Sequence, residues 1–269
     1  MSKPLAAITG ASSGIGAEFA RQLAAAGHDL LLIARRRARL EELAGELTRA
    51  HGLQAEVLEA DLSLDEDIDR VAARLAGEPR LTLLVNNAGF GTKGRLWQTA
   101  IEGQVRMHRV HMDATMRLTH AALGPMVERN QGSVINVSSV AGFARSQSNV
   151  SYCATKAWIN AFTEGVHLEL RGVGSQVRVQ ALCPGFTYSE FHDVVGMDRN
   201  AIPKWLWRTA EYVVRDSLSG LRAGKLYVVP GWPYKLLVAM LTKLPIGVRV
   251  WMEGASPHTR SRLEPGPGQ

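Results

Sequence analysis

Seven short apolar runs, separated by longer stretches that read as helices, leave this chain few folds to choose from. The runs are Leu5–Thr9, Leu30–Ile33, Gln54–Glu59, Leu81–Val85, Ser133–Val137, Gln176–Leu182 and Lys225–Val229. Between them lie the helical stretches Gly14–Ala26, Arg37–Ala50, Asp65–Leu75, about Ile101–Arg129, Val150–Leu170 and the region near Thr209–Leu221. A strand that is followed by a helix and then by another strand makes a right-handed crossover. Repeated crossovers build a parallel sheet covered on both faces. The first run is apolar almost throughout, as befits a strand buried on both sides, and Gly10 cuts it off. The expectation is an α/β fold, a doubly wound parallel sheet in one domain, with no internal repeat or linker.

The junction after the first strand is Thr9-Gly10-Ala11-Ser12-Ser13-Gly14-Ile15-Gly16. Glycines there permit a tight turn, let a phosphate approach the backbone and let the helix pack close to the sheet. The helix amides and the positive end of its dipole then face a diphosphate. The spacing differs from G-x-G-x-x-G, and the G-K-[S/T] ending of a nucleotide-triphosphate loop is missing. A purely structural turn explains such a stretch almost as well. The second strand ends in Ala34-Arg35-Arg36. A carboxylate at that place would hold a ribose 2′-hydroxyl, whereas an arginine fork suits a 2′-phosphate, so NADP(H) is favoured and NAD(H) remains open. The competing reading makes Arg35 to Arg39 the solvated start of a helix. Asp61-Leu62 follows the third strand, where a carboxylate can accept the adenine amino group and the leucine can pack on the ring. Asn86-Asn87-Ala88-Gly89 follows the fourth, and serves either the ligand crevice or a turn.

Tyr152 and Lys156 are four apart, so on a helix they share a face. A positive charge beside a phenol favours phenolate, so the sequence leads one to expect a Tyr152 pKa drawn down from about 10. Ser139 lies upstream and offers a hydroxyl that can hold a substrate oxygen while the tyrosine gives or takes its proton.

In this order the pieces resemble the short-chain dehydrogenase/reductase family, in its branch with a single Rossmann-like, three-layer αβα domain. They are T-G-x-x-x-G-x-G at Thr9–Gly16, Asp61-Leu62, Asn86–Gly89, Ser139, Tyr152-x-x-x-Lys156, and Pro184-Gly185 with Thr187. The resemblance spans about residues 5 to 230. It implies that Tyr152 is the proton donor or acceptor, that Lys156 lowers its pKa and binds the nicotinamide ribose, and that Ser139, rather than Ser138, positions the reacting oxygen. It also implies a cofactor site of Gly10, Ser12, Ser13, Gly14, Ile15, Gly16, Arg35, Arg36, Asp61, Leu62, Asn87, Ala88 and Gly89. Pro184, Gly185 and Thr187 would line its nicotinamide side, and no metal is implied. Where the family carries an asparagine that holds a proton-relay water, this chain has His111. A neutral imidazole there either anchors the water or packs in its helix. Family members form dimers or tetramers through two long helices, here about 101–129 and 150–171.

The implied activity is hydride transfer between NADP(H) and a lipophilic ketone, aldehyde or secondary alcohol. A catalytically silent dinucleotide sensor or scaffold is the alternative. The net charge of +6 suits an anionic cofactor, and without aromatic–basic interleaving it does not point to nucleic acid. Two cysteines, Cys153 and Cys183, in segments that read as buried, fit a reducing, cytoplasmic setting, as does an amino end that enters a strand without a charged leader. Two segments stand outside the alternation. Residues 188–207, with Phe191, His192, Met197, Trp205 and Trp207, read as a substrate lid or as packing on the sheet edge. Residues 231–269 form a helical extension and tail. Its apolar, partly basic stretch 232–252 is either a helix packed on its own chain or a partner subunit, or a peripheral membrane contact.

Overall fold

A computed structural model describes residues 3–92, 94–190 and 202–248. Phe191, His192 and Met197 of the expected lid, Arg249 to Met252, and the proline-containing tail lie outside the described residues. Seven parallel strands run in the order β3-β2-β1-β4-β5-β6-β7. They are β1 Leu5–Thr9, β2 Asp29–Ala34, β3 Ala55–Glu59, β4 Leu81–Asn86, β5 Ser133–Val137, β6 Arg178–Leu182 and β7 Tyr227–Val228. The helices are α1 Gly14–Ala25, α2 Arg37–His51, α3 Asp65–Ala76, α4 Ile101–His108, α5 Thr115–Glu128, α6 Val150–Gly172, α7 Ala210–Arg222 and α8 Trp232–Lys243.

The all-apolar strands are explained by what each face meets. Ala6, Ile8, Leu30 and Leu32 pack with Phe19 of α1, Leu40 of α2 and Val213 of α7. Their neighbours Leu5, Ala7, Leu31 and Ile33 pack on the other side with Ile68 of α3, Leu118 of α5 and Leu170 of α6. Successive side chains point to opposite faces, so a strand sandwiched between helix layers is apolar at every position. Truncating fully buried Ile8 or Leu32 to alanine costs about 2–5 kcal/mol.

Most element ends match the sequence expectation to within one or two residues. The strands near Gln176 and Lys225 begin two residues later, at Arg178 and Tyr227. The helix expected as one piece over Ile101–Arg129 contains a π-helical turn at Arg109–Ala114. Turns of that kind are frequent at functional sites, and this one carries buried His111. Strand order reverses between β1 and β4, and at the carboxyl ends of these strands a cleft of about 1040 Å³ opens.

Candidate active site

The cleft collects residues scattered along the chain. Gly10, Ser12, Ser13, Gly14 and Ile15 line it beside Arg35, Arg36, Asp61 and Leu62. Asn87, Ala88, Gly89, Ser139, Tyr152, Lys156, Pro184, Gly185 and Thr187 complete it. Of the site residues drawn from the sequence, Gly16 and His111 stand behind this lining.

Each glycine of the turn has its own task. Gly10 has φ +66°, in the left-handed region that only glycine enters freely. A Cβ on Gly16 would lie 2.2 Å from the Gly10 carbonyl oxygen, so a bare α-carbon is what lets α1 close on the turn. Ser13 caps α1 without using its side chain on the helix, and the hydroxyl instead accepts from Arg36 Nη2 at 2.8 Å. Asn87 ties the β4 end to the same turn, its amide donating to the Thr9 carbonyl at 2.9 Å. The Thr9 hydroxyl in turn accepts from the Asn87 and Ala88 N–H groups.

At the inner end, α6 carries Tyr152 and Lys156 one turn apart. Ser139 caps a short 3₁₀ turn after β5: its Oγ accepts from Ala141 N–H at 3.1 Å and is hydrogen bonded to the Tyr152 side chain. Lys156 is buried and donates to the Val137 carbonyl at 2.8 Å, with Nζ 5.7 Å from the centre of the tyrosine ring. The charge effect expected from the sequence is overturned. Burial pushes the Tyr152 phenol up to about 12 and pulls Lys156 down to about 7, because a desolvated site disfavours either charge. Ser138, also on the cleft wall, is buried and donates to the Lys156 carbonyl at 2.9 Å. Cys183, buried behind the lysine, is pushed up to about 12 by burial, so it stays a thiol.

His111 is 1% exposed and both ring nitrogens are committed. Thr155 Oγ1 donates to the Tyr152 carbonyl, so it accepts from His111 Nδ1–H at 2.9 Å. Phe90 N–H donates to Nε2 at 3.2 Å. This network assigns the tautomer and engages both ring nitrogens, the arrangement the packed-histidine alternative calls for. Burial holds its pKa well below the usual histidine range, with Lys156 and His108 pressing the same way. The imidazole pins the loop after β4 to the turn of α6 that carries Tyr152.

At the outer end the arginines divide their work. Arg35 turns to Asp61 at 3.8 Å, whereas Arg36 crosses to Ser12 and Ser13. The sequence offers Arg35 and Arg36 together; the geometry puts Arg36 at the glycine turn and Arg35 beside Asp61. Two residues there were missed, Arg39 and Glu190, which pair with each other. Arg39 was discoverable, being three positions after Arg36 near the start of a helix. Tyr234 of α8 was missed as well. It is buried, accepts from Phe186 N–H at 3.0 Å and donates to the Leu206 carbonyl at 2.7 Å, and its ring fills the space where Gly185 has no Cβ. The inner face of α8 therefore packs on its own chain, while Trp232, Leu236 and Met240 face outward. Among the described residues no helix is long and apolar enough to cross a membrane. Trp207 is likewise packed, stacked on Tyr188 at 4.9 Å, so this part of the expected lid belongs to the body.

The chain and its fold have counterparts among known proteins. A short-chain dehydrogenase from Sphingobium yanoikuyae, solved in complex with NADPH, is 32% identical with a TM-score of 0.79, the match covering 99% of this chain and 98% of that one. The bulky-bulky ketone specific alcohol dehydrogenase of Comamonas testosteroni is 28% identical with a TM-score of 0.77, over 100% and 98% of the two chains. A very-long-chain 3-oxoacyl-CoA reductase from Anas platyrhynchos is 30% identical over 243 residues, 86% of this chain and 75% of the relative. The family model for short chain dehydrogenases matches residues 4–200. With that match across the sheet and the cleft, the chain belongs to the short-chain dehydrogenase/reductase family.

Proposed function

We propose that this oxidoreductase transfers hydride between NADP(H) and a lipophilic carbonyl/secondary-alcohol pair, with Tyr152 as acid/base. The observation that carries the reading is the convergence of Ser139, Tyr152 and Lys156 on the same cleft as the glycine turn and the arginine pair. Gly10, Gly16 and the amino end of α1 form a cradle that side chains would fill, and it fits a diphosphate. Arg36 stands where a 2′-phosphate would be recognised, Asp61 and Leu62 where adenine would rest, and Asn87 to Gly89 along the ribose path. Pro184, Gly185 and Thr187 flank the nicotinamide end. When bound, the nicotinamide supplies or accepts the hydride.

The chain's own residues handle the oxygen. In reduction, the Ser139 hydroxyl holds the substrate oxygen and Tyr152 Oη gives it the proton as carbon becomes tetrahedral. A phenol near 12 is in its acidic form at neutral pH, ready to donate. The phenolate left behind favours a protonated Lys156, so burial that weakens each charge alone couples the two groups. Val140, Phe186, Ile202 and Leu237 give the cleft apolar walls, which supports a lipophilic substrate. The ketone-specific alcohol dehydrogenase and the 3-oxoacyl-CoA reductase among its relatives support the same class.

Assembly as a homodimer or homotetramer belongs to the same proposal, supported by exposed Val105 on α4, Met116 on α5 and Leu168 on α6. A cytoplasmic setting is supported by two free, buried cysteines. The test is NADPH and NADH oxidation with a panel of apolar ketones and aldehydes. Turnover with NADPH over NADH is expected. Tight NADPH binding with no turnover across the panel would favour the silent sensor instead.

A further inference from the structure

The mouth of the cleft at its arginine end already holds an anion, and that anion belongs to the protein. Arg36 Nη1 donates to Glu190 Oε2 at 2.8 Å, and Arg39 donates to Oε1 of the same carboxylate. Arg36 Nη2 also donates to the hydroxyls of Ser12 at 3.0 Å and Ser13 at 2.8 Å. Two guanidinium groups thus converge on one carboxylate beside the glycine turn. The carboxyl stays well below the usual range, at about 2, chiefly through its hydrogen bonds from Arg39 and Arg36, so it is ionised at any working pH. Its neighbour Ser189 lies against Gly14, where a Cβ would come within 2.9 Å, so this stretch is laid over the diphosphate cradle. Side chains of Arg36, Arg39 and Glu190 are each nearly half exposed, so a ligand arriving from solvent can reach them.

We propose that Glu190 is a specificity-determining residue that occupies the 2′-phosphate seat and competes with NADP(H) for Arg36 and Arg39. The inference rests on the NADP reading above. A 2′-phosphate recognised by the Arg36 fork has to take N–H donors that the carboxylate now holds, and a dianion cannot share them with a monoanion at contact distance. NAD(H) carries a neutral 2′-hydroxyl and leaves the ion pairs intact. The carboxylate therefore weakens NADP(H) binding and leaves NAD(H) binding alone, narrowing the preference that two arginines would otherwise impose.

The test is Glu190→Gln, which keeps the size of the side chain and removes its charge. Dissociation constants of NADPH and NADH are measured by fluorescence titration on the full chain at low salt, for the wild type and the variant. NADPH should bind about three- to fivefold tighter to the variant, as expected for freeing an exposed ion pair, with NADH changed by less than about twofold. Unchanged or weaker NADPH binding, or an equal gain for both cofactors, overturns the proposal. Failure of the underlying reading shows in the wild type alone. If it binds NADH more tightly than NADPH, and Arg36→Ala alters neither, the 2′-phosphate seat and its occupant are both refuted.

Discussion

The two ends of the cleft solve opposite electrostatic problems. At the inner end, Tyr152, Lys156 and His111 sit in a desolvated environment that pushes every one of them towards its neutral form. At the outer end, Arg35 pairs with Asp61, and Arg36 and Arg39 pair with Glu190, in partly exposed ion pairs. The lesson is a division of labour. Under the proposed function, burial makes proton transfer sensitive to local packing and insensitive to salt, whereas exposure makes cofactor choice sensitive to salt and tolerant of packing.

The largest effect that would break this contrast comes from Lys156→Met. Turnover should fall about 10²- to 10⁴-fold, measured as NADPH oxidation with the best carbonyl of the panel. The same variant probes the buried charge through stability. The folded-state pKa of Lys156 is lowered from 10.5 to about 7, so between those values the unfolded chain binds the extra proton and stability rises with pH. Cys183, raised from 9.0 to about 12, acts in the opposite sense above pH 9. Melting temperature should thus climb from pH 7 to 9 in the wild type, and Lys156→Met should flatten that climb. A climb of equal size in the variant would place the titration elsewhere.

His111→Ala comes next. It strands the Phe90 N–H and opens a void behind Tyr152, which should cost about 3 kcal/mol in denaturant unfolding. His111→Asn should recover part of that loss, because a carboxamide also offers one donor and one acceptor face. The smallest effect belongs to the outer end. Arg36→Ala should weaken NADPH binding about tenfold at low ionic strength, less at about 0.5 M salt, and leave NADH almost unaffected. Equal sensitivity of both ends to salt would dissolve the comparison.

What could be read from the sequence follows the same divide between local and tertiary causes. The alternation of strands and helices, the glycine turn and the Tyr152/Lys156 spacing are local patterns, and each predicted its place in the fold. Arg36 was visible as half of an arginine pair, but which arginine reaches the turn depends on how β2 hands over to α2. Glu190 lies 154 positions from Arg36, beyond any spacing rule. His111 in the π-turn is hydrogen bonded to Phe90 and Thr155, neither of which is near it in sequence. The raised pKa of Tyr152 was missed because proximity to a lysine is written in the sequence, whereas desolvation is a property of the finished core. Tyr234 escaped notice because an apolar C-terminal helix gives no hint that its one buried phenol closes on Gly185.

In the proposed mechanism a half-buried, neutral phenol on α6 delivers the proton. Tyr152→Phe removes only that hydroxyl, so NADPH titration and carbonyl-dependent NADPH oxidation on the same preparation test it most directly. NADPH affinity should stay within about twofold of wild type while turnover falls at least about a thousandfold. Turnover that survives the substitution, with the cofactor still bound, would contradict the account.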